Sequence, residues 1–252
     1  MIEELSVKFD ERFDEILTYL EFLEGVESVV RSGVPRLGGE DGPVVTTKQQ
    51  KILYSSVYLQ LYNLVEATIT SCLDAVSKAA MTRAQWAPGD LRTEMRREWV
   101  KHVARTNVEM GADKRLEEAI VLCDHLVSAL PVKPFDIDKG GGGNWDDEAI
   151  YKIATRIGCD LQVSRQSSRG VKRKIRNDLG AMALIVYLRN KLAHGSLSFA
   201  ECGQDDSVQE LRTLANDVGS YLKEVVAAFI NYIKEHQYLR PERRPTPTAA
   251  NG

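Results

Sequence analysis

Residues 48 to 80 constrain the fold of this chain more than any other stretch. Apolar residues recur there at helical spacing on more than one face, at Leu53, Val57, Leu61, Leu64, Val65, Ile69, Leu73 and Val76. A helix that is apolar around most of its circumference is buried on most sides. The sequence therefore predicts a long central helix with the other elements packed around it.

Helical periodicity also dominates elsewhere, and no stretch alternates apolar and polar residues as a half-buried strand does. Further helices are predicted at 3–30, 90–107, 112–130, 146–157, 171–193 and 207–238. The Gly- and Pro-rich residues 31–47 predict a loop, with Thr47 as candidate cap of the central helix. Residues 158–170 are expected to be irregular, with an extended piece at 161–163. The predicted class is all-α: a helical bundle with extra peripheral helices and a basic loop.

The domain expected from this pattern spans residues 1–239, with 1–47 as an N-terminal helix and loop. Residues 240–252 are too polar and Pro-rich to pack, and predict a disordered tail. The longest apolar run, 181–188, is too short to cross a bilayer. The N-terminus is acidic and amphipathic, unlike a signal peptide. We expect a cytoplasmic protein that does not contact a membrane.

The net charge and the cysteine positions limit which kinds of binding site and cross-link this chain can form. The net charge of -3 gives no chain-wide basic field, so any contact with nucleic acid requires a local patch. The four cysteines are far apart, which supports neither a structural zinc site nor a disulfide framework. His102, His125 and His236 lack clustered ligands and are read as ordinary helix residues. The sequence thus predicts neither a metal site nor a cofactor.

One basic patch is present, in the segment RQSSRGVKRKIR at 165–176. It contains six cations and no acid: Arg165, Arg169, Lys172, Arg173, Lys174 and Arg176. Such a run attracts a phosphate backbone, which makes it the candidate RNA-binding segment. The alternative is a solvated basic turn without function.

The segment YLRNKLAHGSLSF at 187–199 combines three residue types suited to phosphodiester chemistry. Arg189 supplies a permanent cation, Asn190 supplies hydrogen bonds, and His194 can exchange a proton near neutral pH. Gly195 is a natural residue to follow a helix, so we expect the helix to end near His194. The alternative is that Arg189 and His194 only neutralise the carbonyl groups of the last helical turn.

Two stretches resemble recurring blocks of the HEPN superfamily. The segment LRNKLAHG at 188–195 resembles its motif of an arginine, four to six residues and a histidine, with the polar residue after the arginine that its ribonuclease branches carry. The segment LYNLVEATI at 61–69 is similar to a second block of bacterial members. The resemblance extends over residues 48–235, and its specific part lies in these two blocks.

The resemblance implies an all-α bundle that dimerises, so that two copies of the motif face each other across a cleft. The implied activity is metal-independent RNA cleavage with the RNA 2′-hydroxyl as nucleophile. Arg189 would then bind the scissile phosphate and stabilise charge on its oxygens, and His194 would move a proton to or from the reacting oxygens. Asn190 would orient the phosphate or the histidine.

Two further positions, Ser196 and Glu66, bear on the resemblance. HEPN toxins paired with nucleotidyltransferase antitoxins carry a tyrosine two residues after the histidine, where this chain has Ser196. Regulation by modification of that tyrosine is therefore not expected. Glu66 lies on a largely apolar helix, where a carboxylate usually has a cationic partner. Arg189 is one candidate partner, and a structural ion pair elsewhere is the alternative.

These observations lead to one leading hypothesis and two alternatives. The first is a HEPN-type endoribonuclease in a toxin–antitoxin or antiviral setting, with RNA as substrate and an antitoxin or defence protein as partner. The second is a catalytically inactive HEPN dimer that binds protein or nucleotide. The third is a helical scaffold with a coincidental motif. Retention of Arg189, Asn190 and His194 together favours the first over the second, because a non-catalytic descendant has no chemical reason to keep all three.

Overall fold

The structure is a computed structural model that describes residues 2–36, 41–82, 85–105, 109–140 and 144–245. This part of the chain contains nine α-helices and no strand, which confirms the all-α prediction. The helices are α1 (Glu3–Ser32), α2 (Thr47–Ala80), α3 (Thr93–Val103), α4 (Ala112–Val127), α5 (Asp147–Ile157), α6 (Arg165–Lys172), α7 (Ala181–Ala193), α8 (Phe199–Cys202) and α9 (Val208–Lys234). None of these helices is both long and apolar enough to span a membrane.

The three longest helices, α1, α2 and α9, pack against one another and form the centre of the bundle. Helix α2 also contacts α7 and α8, so it is the central helix that its apolar pattern predicts. The α1–α9 contact is close at Gly219, because a Cβ atom there would lie 2.2 Å from the ring of Phe13. A side chain at this position would push the two helices apart.

The peripheral helices complete one contiguous apolar core. Helix α6 packs on α9, and α3 contacts both α4 and α5. All four cysteines are free thiols, and Cys123 on α4 is the exposed one. The core thus requires neither a disulfide nor a covalent link between the elements.

The start of α2 differs by one residue from the prediction. Thr46, and not Thr47, caps the helix: its hydroxyl accepts from the Gln49 backbone N–H at 3.2 Å, while the Gln49 side chain accepts from the Thr46 N–H at 2.7 Å. This reciprocal pair satisfies two backbone groups that the first helical turn leaves without partners.

The prediction was wrong for residues 165–180, where a short helix and a turn replace an irregular segment and the start of a long helix. Ser164 caps α6 by accepting from the Ser167 N–H, and an eight-residue polar helix has too little apolar periodicity to detect. Asn177 and Asp178 have positive φ angles of 53° and 57°, which form a tight turn. Asn and Asp tolerate this conformation better than other non-glycine residues. The motif helix α7 therefore begins at Ala181 instead of residue 171.

The C-terminal segment also differs from its prediction. Helix α9 ends at Lys234, so His236 is not a helical residue; it has a φ of 48° and its ring packs near those of Trp86 and Tyr238. Residues 240–245, which the prediction assigned to a disordered tail, make contacts with the bundle. The Arg240 N–H donates to the Asp90 carbonyl at 2.9 Å, and Arg243 pairs with the Asp90 carboxylate at 2.8 Å. Residues 246–252 lie outside the described residues.

Candidate functional site

The motif lies at the C-terminal end of α7, where the helix ends as the sequence predicts. His194 follows the last helical residue, and Gly195 has a φ of 67°. The Ser196 N–H donates to the Lys191 carbonyl at 3.0 Å, and the Gly195 N–H donates to the Leu192 carbonyl at 3.1 Å. This pair of bonds defines a Schellman motif, which turns the chain sharply after the histidine.

Arg189 is fixed by two contacts. Its guanidinium lies over the ring of Tyr62 on α2, 4.3 Å from the ring centroid, and its Nη1 donates to Asn190 Oδ1 at 2.9 Å. A cation over an aromatic face is held by the charge distribution of the ring, and the contact stabilises by about 0.5–2 kcal/mol. The remaining guanidinium N–H groups make no hydrogen bond within the described residues.

Asn190 connects the motif to the start of α5. Its Nδ2 donates to Asn144 Oδ1 at 3.2 Å, while its own Oδ1 accepts from Arg189. Asn144 lies two residues before Asp146, the N-cap of α5. Asn190 therefore orients the arginine, and the loop before α5 orients Asn190. The rest of the GGGGN turn, residues 141–143, lies outside the described residues.

Glu66 reaches Arg189 through Tyr62 and not by a direct ion pair. Burial raises the pKa of the Tyr62 hydroxyl, the negative charge of Glu66 raises it further, and the Arg189 guanidinium opposes the rise. The three side chains therefore form one electrostatic group on the faces of α2 and α7. Among the described residues, Glu66 and Arg189 are linked through Tyr62 and not by an ion pair. An ion pair of Glu66 with another cation stays a prediction.

His194 is exposed at the helix end, and its ring makes no hydrogen bond to any described residue. An imidazole in this position can accept or donate a proton to a molecule arriving from solvent. The last turn of α7 thus carries a held, half-buried cation at Arg189 and, five residues later, an exposed imidazole at His194. The cation has the chemistry to bind a phosphate, and the imidazole has the chemistry to transfer a proton.

Half of the basic run is engaged in local ion pairs. Arg173 pairs with Asp217 at 3.0 Å, and Lys174 pairs with Asp178 at 3.2 Å. Arg176 lies 3.8 Å from Asp206 and also donates to the Cys202 carbonyl. These three cations are therefore less available to a phosphate backbone than their number in the sequence suggests.

The other three cations of the run lie on α6 and are exposed: Arg165, Arg169 and Lys172. Arg165 and Arg169 are four residues apart, so they share one face of the helix. The end of α6 packs against Gly180, directly before α7. The motif lies at the opposite end of α7, about 20 Å along the helix axis. RNA binding by the six cations stays a prediction.

Sequence reasoning missed two residues that hold the site, Tyr62 and Asn144. Tyr62 lies in the block LYNLVEATI, one helical turn before Glu66, so the spacing contained a signal for it. Asn144 follows four glycines and is 46 residues from its partner Asn190. Nothing in the local pattern indicates that contact. Within the described residues, no group of three or more His, Cys, Asp or Glu side chains could hold a metal ion.

The site can be compared with known families. The family model described as HEPN_MAE_28990-like HEPN matches residues 1–238. This match includes α1 and is wider than the resemblance over residues 48–235. No curated protein and no solved structure matches the chain.

Proposed function

We propose, because this chain belongs to the HEPN superfamily, that its α7 motif cleaves RNA. The observation that carries the proposal is the geometry at the end of α7. Arg189 is stacked on Tyr62 and hydrogen-bonded to Asn190, and His194, five residues later, is exposed at the helix end. A structural role would not require that, within the described residues, the His194 ring and several Arg189 N–H groups make no hydrogen bond.

The proposed reaction uses the substrate's own nucleophile. The 2′-hydroxyl oxygen attacks the adjacent phosphorus and loses its proton, while the bond from phosphorus to the 5′ oxygen breaks and that oxygen gains a proton. Arg189 binds the non-bridging oxygens and stabilises the charge that grows on them in the transition state. His194 carries one of the two protons. The products are a 2′,3′-cyclic phosphate, or the 3′-phosphate formed from it, and a free 5′-hydroxyl.

A homodimer would complete this machinery. One copy offers one imidazole on an open surface, whereas the reaction requires both a proton acceptor and a proton donor. Two copies of the motif facing each other would supply two His194 side chains and two Arg189 side chains in one cleft. The unpartnered ring of His194 supports this arrangement, since it leaves the ring available to a shared substrate.

The biological setting proposed is a toxin–antitoxin or antiviral system, with an antitoxin or defence protein as partner. The second candidate function is a HEPN dimer that binds nucleotide or protein without cleaving RNA. The unused N–H groups of Arg189 favour this alternative, since they could hold the phosphate of a nucleotide without any transfer of a proton. Turnover, and not affinity, distinguishes the two.

The experiment is incubation of the purified protein with end-labelled RNA, in parallel with DNA of the same sequence. We expect cleavage of RNA only, because DNA lacks the 2′-hydroxyl. Cleavage should persist in EDTA and leave 2′,3′-cyclic phosphate or 3′-phosphate ends. Activity that is lost in EDTA and restored by magnesium would contradict the mechanism.

A further inference from the structure

A cavity of about 560 Å³ lies near the start of α7, at the end of that helix away from the motif. It is formed where α5, α6, α7 and α9 meet. Its lining combines aromatic, apolar and acidic side chains with the hydroxyl of Ser168 and the ammonium group of Lys172. The residues used below are Asp147, Tyr151, Leu161, Val163, Ala183 and Tyr221. The volume falls in the range that holds a small organic ligand.

The cavity and the motif are connected along one face of α7. Ala183 lines the cavity, and Asn190 lies seven residues later, which is about two helical turns and about 10 Å on the same face. Asn144, the partner of Asn190, lies two residues before the start of the acidic cavity wall at Asp146. Arg189 itself lies off this face but donates to Asn190, so a strand that runs from a phosphate at this pair along the Asn190 face leads to the cavity.

Tyr221 supplies a hydrogen-bonding group that no protein atom uses. Its side chain is only 5% exposed and lines the cavity, yet its hydroxyl makes no hydrogen bond within the described residues. Burial raises the pKa of this hydroxyl, and the nearby carboxylates of Asp147 and Asp146 raise it further. The hydroxyl therefore keeps its proton and can donate it to a ligand in the cavity.

Asp147 is the carboxylate of this wall with the most unused hydrogen-bonding capacity. Asp146 accepts from the Ala149 N–H at 2.8 Å, and Glu148 pairs with Lys152 at 2.7 Å. The Asp147 carboxylate makes no ion pair of this kind with a described side chain. Burial raises its pKa, while the charge of Lys172 across the cavity and the backbone N–H of Asp147 oppose the rise. Its two oxygens can accept two parallel N–H groups.

Tyr151 offers a stacking surface directly beside Asp147. The two residues are four apart on α5, so they lie one turn apart on the same face. Tyr151 is 60% exposed although its ring lines the cavity, while Leu161 and Val163 form apolar wall. An aromatic ring open to solvent beside an apolar wall is the usual arrangement for stacking a nucleobase.

We propose that this cavity binds a guanine base of the RNA whose phosphate lies at Arg189. The edge of guanine carries two adjacent donors, N1–H and the N2 amino group, and one acceptor, O6. Asp147 accepts from the two donors, Tyr221 donates to O6, and Tyr151 stacks on the ring. Uracil has a single N–H between two carbonyl oxygens, and those oxygens would face the carboxylate. This inference rests on the proposed function, which places an RNA strand at Arg189. It adds that the ribonuclease site prefers guanine next to the bound phosphate.

The test has a binding arm and a cleavage arm. In the binding arm, guanosine 5′-monophosphate and uridine 5′-monophosphate are titrated by calorimetry into the full chain carrying His194→Ala. We expect the guanine nucleotide to bind at least about tenfold more tightly, because a site built for hydrogen bonds rejects an analogue that leaves its groups unpaired. Asp147→Asn should remove that preference, since an amide replaces one acceptor by a donor.

Glu148→Gln is the matched control, because it neutralises the adjacent carboxylate that is already paired with Lys152. It should retain the preference, as should Tyr151→Phe, whereas Tyr151→Ala should weaken binding of both nucleotides. Melting curves check that each variant is folded. Equal binding of the two nucleotides, or a preference that persists in Asp147→Asn, would overturn the inference.

The cleavage arm uses RNA oligonucleotides that differ at a single position, with G, A, C or U next to the scissile bond. We expect the fastest cleavage with G, and loss of that selectivity in Asp147→Asn. Cleavage without base preference at any position overturns the inference and leaves the proposed function intact. Binding of the guanine nucleotide that depends on Asp147, in a protein that cleaves no RNA, supports the cavity and contradicts the ribonuclease.

Discussion

At the scale of single residues, the site depends on how Arg189 is held and not only on its charge. The guanidinium is placed between the Tyr62 ring and the Asn190 side chain, with Glu66 behind Tyr62. A flat, forked cation can stack on a ring and donate sideways at the same time, which an ammonium group cannot do. The geometry therefore explains why lysine would be a poor replacement.

Replacing Arg189 by lysine should reduce RNA cleavage by about tenfold or more, because stacking on Tyr62 contributes about 0.5–2 kcal/mol and the bidentate geometry is also lost. Tyr62→Leu should also reduce cleavage, because it removes the ring on which Arg189 stacks but keeps the arginine itself. The measurement is the single-turnover rate on labelled RNA. Arg240→Lys is the control, because Arg240 lies outside the motif and contacts Asp90 through its backbone N–H. This variant should cleave RNA at the wild-type rate. An Arg189→Lys variant with the wild-type rate would show that charge alone suffices.

At the scale of elements, the end of α7 is set by Gly195. Its φ of 67° lies in the left-handed region, and no atom lies within 4 Å of the position that a Cβ atom would take. Gly195→Ala should therefore reduce the free energy of unfolding by about 1–2 kcal/mol, through backbone strain alone. Gly25→Ala within α1 meets equally open space but a helical backbone, and should stabilise by about 0.5–1 kcal/mol. Denaturant unfolding measures both, and equal effects would contradict this account of the helix end.

At the scale of elements, the sequence predicted the long helices better than the short ones. Long helices such as α2 and α9 were predicted well, because their apolar periodicity extends over many turns. Helix α6 was missed, because it is short and polar and is held by the Ser164 cap and by contacts to α9. The roles of Tyr62 and Asn144 depend on contacts between distant segments, which a local pattern does not contain. Arg189, Asn190 and His194 were identifiable because they are close together in the sequence.

The exposed face of α6 leads to a second prediction at this scale. Replacing Arg165 and Arg169 by alanine should weaken RNA binding, and the slope of log affinity against log salt should flatten by about 0.7 for each lost phosphate contact with a single strand. Lys174→Ala is the matched control, since Lys174 is already paired with Asp178. Binding isotherms at several salt concentrations provide the slope. A control variant that loses as much affinity as the double variant would contradict this division of the basic run.

At the scale of the whole molecule, the proposed reaction requires two copies of the motif at one cleft. We expect a homodimer at micromolar concentration, because a single copy presents one imidazole on an open surface. Light scattering coupled to size exclusion gives the mass directly. A strictly monomeric mass together with full RNA cleavage would contradict the shared cleft.

The central claim is that His194 carries a proton in RNA cleavage, and the most direct test compares cleavage and melting temperature for the wild type and His194→Ala. The ring has no partner among the described residues, so its removal should leave the melting temperature unchanged. The cleavage rate should fall by about 10²- to 10⁴-fold. His102→Ala, at another exposed histidine on α3, should keep the wild-type rate. A His194→Ala protein that melts like the wild type and cleaves RNA at the wild-type rate would contradict the ribonuclease mechanism.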